Sequence, residues 1–157
     1  MHLTYETARS EDAPVIYAFA EELIKAYEAD PDLDLDMALN WTRRKIEKKI
    51  DEYTRVLADG ALAGFFRFVP SEERTDGPWM ELDDLYVLPA FRNQGVGTAV
   101  LRRCVAQGKP VYFYVFTGNA RAVALYEREG FRRIEDVSPT RCIMAKGGGL
   151  SFGGERV

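Results

Sequence analysis

The sequence predicts an α/β fold in one domain, with the element order β-α-α-β-β-β-α-β-α-β-β. Three features predict it: four segments carry apolar residues at helical spacing, seven have strand composition, and turn residues separate them. With 157 residues, 46% of them hydrophobic, the chain suffices for one sizeable core. We therefore predict a single domain over residues 1–146 and a flexible Gly-rich tail over residues 147–157.

The first half of the chain combines one strand with two amphipathic helices. Residues 3–8 have strand composition, and Ser10 or Asp12 can cap the helix that follows. The acidic stretch 28–36 interrupts the helical pattern, and a second helix is predicted from about Asp36 to Ile50. The residues predicted to form the buried faces are Val15, Phe19, Leu23 and Tyr27, flanked by Ile16, Ala20 and Ile24, in the first helix, and Met37, Trp41, Ile46 and Ile50 in the second.

The second half changes to strand patterns, connected by turns and two further helices. Asp59-Gly60, between two β-rich runs, is a strong signal for a hairpin. The continuous apolar run 111–116 is typical of a strand covered on both faces. Asn119 can cap the last helix, and Gly130 can end it. The predicted strands are 53–58, 61–69, 79–87, 111–116, 131–134 and 141–146, and the predicted helices are one from near Gly95, burying Val96, Val100, Leu101, Cys104 and Val105, and one over 120–129.

Composition argues against several classes of function. The formal net charge is −4, and an acidic chain without a long basic stripe is a poor candidate for nucleic-acid binding. No apolar run is long enough to span a bilayer and no signal peptide is visible, so we expect a cytoplasmic protein without membrane association. The only histidine, His2, lies at a terminus, which argues against a histidine-activated nucleophile. Cys104 and Cys142 lack metal-ligand spacing, so we expect two buried thiols and no metal.

The most informative segment lies where the strand 79–87 leads into the next helix. Gly95 and Gly97 stand at the helix start, where unpaired N–H groups and the positive end of the helix dipole can receive a phosphate. A Walker A loop requires Gly-Lys-Ser/Thr, whereas Thr98 follows Gly97 here. A dinucleotide-binding turn requires a third glycine where Val100 stands. The segment therefore differs from both common nucleotide-binding loops.

Two segments resemble motifs of the GNAT superfamily of N-acetyltransferases. Residues 92–97, Arg-Asn-Gln-Gly-Val-Gly, resemble its pyrophosphate-binding motif Arg/Gln-x-x-Gly-x-Gly/Ala, and residues 119–131 resemble its helix motif Asn-x-x-Ala-x-x-Leu-Tyr-x-x-x-Gly-Phe. The resemblance is sharp from about Trp79 to Phe131, rests on element order alone in the first half, and is absent from the last dozen residues. It implies a mixed sheet flanked by helices and an enzyme that uses acetyl-coenzyme A (acetyl-CoA) without a metal.

The resemblance also implies which residues bind the coenzyme. Arg92 would supply positive charge beside the pyrophosphate, and Asn119 would contact the coenzyme near its pantetheine arm. Leu85 and Val87 would pair with that arm through their backbones, as if it were an added strand. The N–H group of Val87 would also stabilise the oxyanion. The backbone amides implied to hold the pyrophosphate are those of Gln94, Gly95, Val96, Gly97 and Thr98.

Acetyl transfer to an amine requires a proton acceptor and a proton donor. Tyr126 matches the superfamily's general acid, although its helical spacing would also suit a core tyrosine. We favour Glu81, which stands where related histone acetyltransferases carry their base, and then Asp83, which resembles the first acid of polyamine acetyltransferases; alternatively these acids only solvate the strand end. Strand alternation places both on one face and Asp84 on the other, unless a bulge intervenes.

Four aspartates between the first two helices bear on the acceptor. Asp30, Asp32, Asp34 and Asp36 could attract a cationic amine, or they form a solvated loop whose last Asp caps the second helix. We predict an N-acetyltransferase that acts on a small cationic amine. An antibiotic or a protein N-terminus as the acceptor, a non-catalytic acyl-CoA sensor on the same fold, and a homodimer stay open.

Overall fold

The structure is a computed structural model that describes residues 1–147 and the backbone of residues 151–152 and 155–156. Its elements are β1 (Leu3–Thr7), α1 (Ala13–Tyr27), α2 (Leu35–Lys48), β2 (Tyr53–Ala58), β3 (Ala61–Pro70), β4 (Met80–Val87), α3 (Val96–Val105), β5 (Val111–Phe116), α4 (Ala120–Arg128), β6 (Arg132–Asp136), β7 (Arg141–Lys146), β8 (Ser151–Phe152) and β9 (Glu155–Arg156), with short 3-10 helices at Ser10–Asp12, Ile50–Glu52 and Pro89–Phe91. Seven strands form one sheet in the order β1-β2-β3-β4-β5-β7-β6. The sheet is mixed, since β4 and β5 are parallel whereas β1–β2, β2–β3, β5–β7 and β6–β7 are antiparallel.

The predicted element boundaries lie within two residues of the observed ones. Asp59 and Gly60 join β2 to β3 with positive φ angles of 50° and 86°, as a two-residue hairpin turn requires. In the tail, β8 and β9 pair antiparallel. The other tail residues for which flexibility is predicted, 148–150, 153–154 and 157, lie outside the described residues. No helix in the described part of the chain is long and apolar enough to cross a membrane.

The chain divides into two compact units. The first comprises Met1–Arg67 and Asp84–Val96, and the second comprises Phe68–Asp83 and the residues from Gly97 onwards. In the first unit, Val15 is 41% exposed although the pattern predicts it on the buried face of α1. The face is instead centred on Ile16, because packing against the other elements sets the rotation of the helix. The buried residues of this core are Ala8, Ala13, Ile16, Ala20, Ile46, Tyr53, Phe65 and Tyr86.

Helix α2 begins and ends earlier than predicted. Asp34, rather than Asp36, caps it, since Oδ1 of Asp34 accepts a hydrogen bond from the N–H of Met37 at 3.1 Å. The helix therefore covers Leu35–Lys48, and Ile50 belongs to the short 3-10 helix that follows. An aspartate of this stretch caps α2 as predicted, but the predicted capping residue, Asp36, is wrong.

The predicted buried stripe of α2 is also wrong at two positions. Leu39 and Ile46 are buried, whereas Met37 and Trp41 are 69% and 66% exposed. At about 100° per residue, Met37 and Trp41 lie roughly 180° and 140° around the helix from Ile46. Because Ile46 packs into the core with α1, the other two face outward, and their spacing of four residues marks an exposed face.

In the second unit, β5 pairs with β7 along its whole length and with β4 at two residue pairs, Met80↔Val111 and Glu81↔Tyr112. The run 111–116 is mostly buried, as its composition predicts. Pairing with β4 thus ends at Glu81, while β4 continues to Val87. Trp79, Tyr112, Ile143 and Ala145 form a buried cluster in this unit.

Helix α3 and the two cysteines agree with the sequence. Val100, Leu101 and Cys104 are buried on α3, and only Val105, predicted to be buried, is half-exposed. Cys104 and Cys142 are buried free thiols, as predicted. Burial raises the pKa of the Cys104 thiol to about 12, so it stays protonated and unreactive at neutral pH.

Candidate active site

The loop from β4 to α3 forms an exposed turn. Residues 92–95 are exposed, and Asn93 and Gly95 have left-handed backbones with φ angles of 62° and 85°. Val96 begins the helix α3 and is buried, which holds the helix start in place. The first turn of a helix carries N–H groups without intrahelical partners, and left-handed residues beside it make a concave surface of backbone N–H groups that suits an anion.

Two side chains of this turn bond to the backbone before it. Nε of Arg92 donates to the carbonyl of Val87 at 3.2 Å, and Nε2 of Gln94 donates to the carbonyl of Ala90 at 3.0 Å. A Cβ placed on Gly95 meets no atom within 4 Å, so the space beside this backbone is open. An open backbone, an exposed guanidinium and a helix start together fit a diphosphate group.

Glu81, the favoured base, lies beside two tyrosines. It pairs in register with Tyr112, and its charge acts on Tyr112 and Tyr114. Burial raises the pKa of both phenols, and the charges of Glu81 and Glu73 raise it further. Both phenols donate to Oε1 of Glu73, at 3.0 Å from Tyr112 and 2.5 Å from Tyr114. Glu73 lies in the loop before β4 and carries no motif, so no signal in the sequence points to it.

Tyr126 lies on α4, whose start is capped as predicted. Oδ1 of Asn119 accepts a hydrogen bond from the N–H of Ala122 at 3.3 Å. The Tyr126 ring packs against Phe113, with centroids 4.2 Å apart, and against Phe131 at 6.4 Å. Burial raises the pKa of Tyr126 to about 12. Within the described residues the structure shows no hydrogen bond to its hydroxyl.

The predicted acid and base lie on opposite faces of the sheet at β5. Phe113 contacts Tyr126 on one face. Tyr112 and Tyr114 alternate with Phe113 and bond Glu73 on the other face. Glu81 is the register partner of Tyr112 and so shares its face. In the second unit, the sheet thus presents a carboxylate on one side and a protonated phenol on the other.

Asp84 has an unusual backbone for a residue within a strand. Its φ angle is 65°, a departure from alternation of the kind a bulge produces. Its carboxylate accepts hydrogen bonds from the hydroxyls of Tyr53 at 2.7 Å and Tyr86 at 2.8 Å, and Nζ of Lys45 lies 3.5 Å away. We call these four residues the Asp84 cluster. The side chains of Lys45 and Asp84 are only 14% and 18% exposed.

The contacts of the Asp84 cluster offset the free energy that the left-handed backbone conformation of Asp84 costs. A left-handed conformation costs a non-glycine residue about 1–2 kcal/mol, and a hydrogen bond to a charged group contributes about 1.5–3 kcal/mol. Sequence reasoning missed the cluster because Tyr53 and Asp84 are 31 residues apart. Asp83, the second candidate base, is half-buried one position earlier, and Leu85 and Val87 are half-buried on the same strand.

The fold is that of an acetyltransferase. Residues 16–131 match the acetyltransferase (GNAT) family, and the chain belongs to this family. The match confirms the family and the acyltransferase class predicted from the sequence. It also extends the resemblance into the first half of the chain, where element order alone had indicated it.

Similar proteins agree with this assignment. The chain is 31% identical over 93 residues to the N-alpha-acetyltransferase RimI of Mycobacterium tuberculosis, and the match spans 58% of each chain. It is similar in fold to PaiA N-acetyltransferase of Thermoplasma acidophilum in complex with coenzyme A, with a TM-score of 0.65, 20% identity, and coverage of 94% of this chain and 99% of that one. For the ribosomal-protein-S18-alanine N-acetyltransferase of Escherichia coli, the TM-score is 0.61, the identity 20% and the coverage 99% and 100%. These likenesses confirm the predicted fold class.

Proposed function

We propose that the protein transfers the acetyl group of acetyl-CoA to a primary amine by direct attack in a ternary complex, with residues 1–146 as one catalytic domain. The observation that carries the proposal is the exposed turn at residues 92–95, which leads into α3 with two left-handed residues. Bound acetyl-CoA supplies an activated acetyl group as a thioester. The coenzyme A held by the Thermoplasma acidophilum protein of the same fold supports this choice of cosubstrate.

Main-chain groups carry most of the proposed coenzyme binding. The N–H groups of residues 94–98 hold the pyrophosphate, and Arg92 adds positive charge from an exposed position. Val96 contributes only its backbone, because its side chain is buried. The backbones of Leu85 and Val87 pair with the pantetheine arm, and Asn119 contacts the coenzyme near it. Because β4 stops pairing with β5 after Glu81, the backbones of Leu85 and Val87 do not pair with β5. This supports the arrangement in which the pantetheine arm pairs with β4 like an added strand.

Glu81, with Asp83 as the second candidate, accepts the proton of the amine, because an amine with a pKa near that of lysine, about 10.4, is charged at neutral pH. The N–H of Val87 stabilises the oxyanion. Tyr126, on the face of the sheet opposite to Glu81, then donates its proton to the departing thiolate from that side, since a phenol with a pKa of about 12 is protonated at neutral pH.

A protein N-terminus is a second candidate for the acceptor, beside a small cationic amine. Two of the four aspartates thought to attract a polycation bond to nearby backbone: Asp30 accepts from the N–H of Asp32 at 3.0 Å, and Asp34 caps α2. The loop and α2 also expose large apolar side chains that the side chains of a peptide could contact. These residues are Leu33, Leu35, Met37 and Trp41.

Replacing Gly95 by Ala tests the proposed coenzyme site. The substitution puts a Cβ where φ is 85°, which costs about 1–2 kcal/mol, and brings it against the bound pyrophosphate. We expect acetyl-CoA binding, measured by calorimetry, to weaken by about tenfold or more. Gly60→Ala is the matched control, since Gly60 has φ 86° and equally open surroundings but lies in the β2–β3 hairpin.

The wild-type protein should bind acetyl-CoA and neither ATP nor NAD, and should release free thiol when amines are added. An equal loss of acetyl-CoA affinity in Gly95→Ala and Gly60→Ala would show that the turn at residues 92–95 does not bind the coenzyme. If the protein binds the coenzyme but releases no thiol from acetyl-CoA when any polyamine or any peptide with a free N-terminus is added, an acyl-CoA sensor is favoured instead. Faster thiol release with peptides than with polyamines would identify a protein N-terminus as the acceptor.

The double substitution Glu81→Ala/Asp83→Ala tests the base. A base must be deprotonated to work, so wild-type turnover should fall as pH falls through its pKa, and the variant should lose this low-pH limb. At pH 7 we expect kcat to fall by roughly a hundredfold or more. Glu22→Ala, which removes an exposed acid of α1, serves as the control and should keep the wild-type profile. A double variant with an unchanged pH–rate profile would show that neither acid is the base.

A further inference from the structure

The second half of β4 is held at successive residues within the first unit. The Asp84 cluster binds the side chain of Asp84. Gly64 of β3 lies so close that a Cβ there would stand 2.3 Å from the carbonyl oxygen of Tyr86. The carbonyl of Val87 accepts from Arg92, and the N–H of Leu88 donates to the carbonyl of Ala63 at 2.8 Å. This is the segment whose backbone the proposed function assigns to the pantetheine arm and the oxyanion.

We propose that Asp84 is a positioning residue: its carboxylate, held by Tyr53, Tyr86 and Lys45, keeps residue 84 in the left-handed conformation and thereby directs the N–H groups that follow it. A residue with positive φ turns the next peptide plane out of the regular strand ladder, as in a β-bulge. The conformation of Asp84 therefore decides where the N–H groups of Leu85 and Val87 point. The inference rests on the proposed function, because it takes the N–H of Val87 as the oxyanion donor.

The three partners come from three different elements, which makes the cluster a rigid support. Lys45 lies on α2, Tyr53 on β2 and Tyr86 on β4. Both tyrosines are buried, and the Tyr86 ring also stacks on Phe19 with centroids 5.5 Å apart. Removing the hydroxyls leaves the rings in place and withdraws the hydrogen bonds to Asp84. Catalytic groups need such support, because small displacements of an oxyanion donor cost much of its effect.

Two variants of the full chain separate the side chain of Asp84 from its backbone conformation. Asp84→Gly permits positive φ at no steric cost but loses every contact of the carboxylate. Tyr53→Phe/Tyr86→Phe keeps Asp84 and removes two donors. For both we expect kcat to fall by about tenfold or more, with a smaller rise in the acetyl-CoA dissociation constant, since the contacts of Leu85 and Val87 with the pantetheine arm weaken while the pyrophosphate contacts at residues 94–98 remain. Tyr17→Phe, which removes only a 3.2 Å bond to Glu21 on α1, should leave kcat unchanged.

Wild-type kcat in Asp84→Gly would overturn the proposal, because backbone freedom alone would then suffice. Unchanged kcat in the folded double-Phe variant would overturn it as well, and this variant decides the question if Asp84→Gly does not fold. A role in stability alone predicts a lower unfolding midpoint with wild-type turnover per folded molecule. If the wild-type protein itself neither binds acetyl-CoA nor releases thiol, the proposed function fails. If the wild type is active and the variants equal it, only the positioning role fails.

Discussion

Tyr126→Phe should lower kcat by about 10²–10⁴-fold while acetyl-CoA binding stays close to wild type. The substitution removes the proposed general acid, and general acid catalysis typically contributes this factor. It preserves the ring that packs against Phe113 and Phe131, so thermal stability should change little. Steady-state kinetics measured by thiol release, together with calorimetry of acetyl-CoA binding, separates turnover from affinity.

The pH dependence gives this prediction a second readout. In the proposed role of Tyr126 the protonated phenol is the active form, and burial raises its pKa to about 12. Ionisation of Tyr126 should therefore reduce activity only as pH rises toward about 12, and a high-pH limb at lower pH would have another origin. A Phe variant with wild-type kcat would show that Tyr126 is a core residue, which its spacing alone also permits.

Gly64→Ala should destabilise the protein strongly. The added Cβ would lie 2.3 Å from the backbone oxygen of Tyr86, and backbone cannot rotate away as a side chain can. Overpacking of this kind costs about 1–3 kcal/mol, occasionally more, and a chain of this size loses roughly 2–4 °C of Tm for each kcal/mol. The change should be measured as the urea midpoint and the Tm.

Gly77→Ala is the control for this prediction. Its added Cβ would meet only the side chain of Trp79 at 3.7 Å, an ordinary van der Waals contact, so we expect a change within about 0.5 kcal/mol. Gly64→Ala should also lower kcat, because the same contact holds the strand beside Val87. Equal midpoints for the two variants would mean that β3 and β4 can separate there at little cost.

Local patterns in the sequence predicted much of the fold and part of the site. The hairpin at Asp59-Gly60, the start of α3 and the Asn119 cap each depend on residues within a few positions of one another, and the structure has them where the sequence places them. Helix rotation is different. The apolar spacing of Met37 and Trp41 fits a buried stripe, yet packing of Ile46 with α1 turns both outward. Periodicity shows that a face exists, whereas the neighbouring elements decide which face is buried.

The sequence by itself determined the order of strands and helices, the family, and the turn whose backbone suits a diphosphate. The turn follows from local geometry: glycine permits positive φ, and a helix start leaves N–H groups unpaired. Only the tertiary structure brought Tyr53 and Lys45 to Asp84, and Glu73 to Tyr112 and Tyr114. Their separation along the chain carries no local signal. Folding alone places such residues within hydrogen-bond distance, and the carboxylate of Asp84, whose side chain is largely buried, needs such partners.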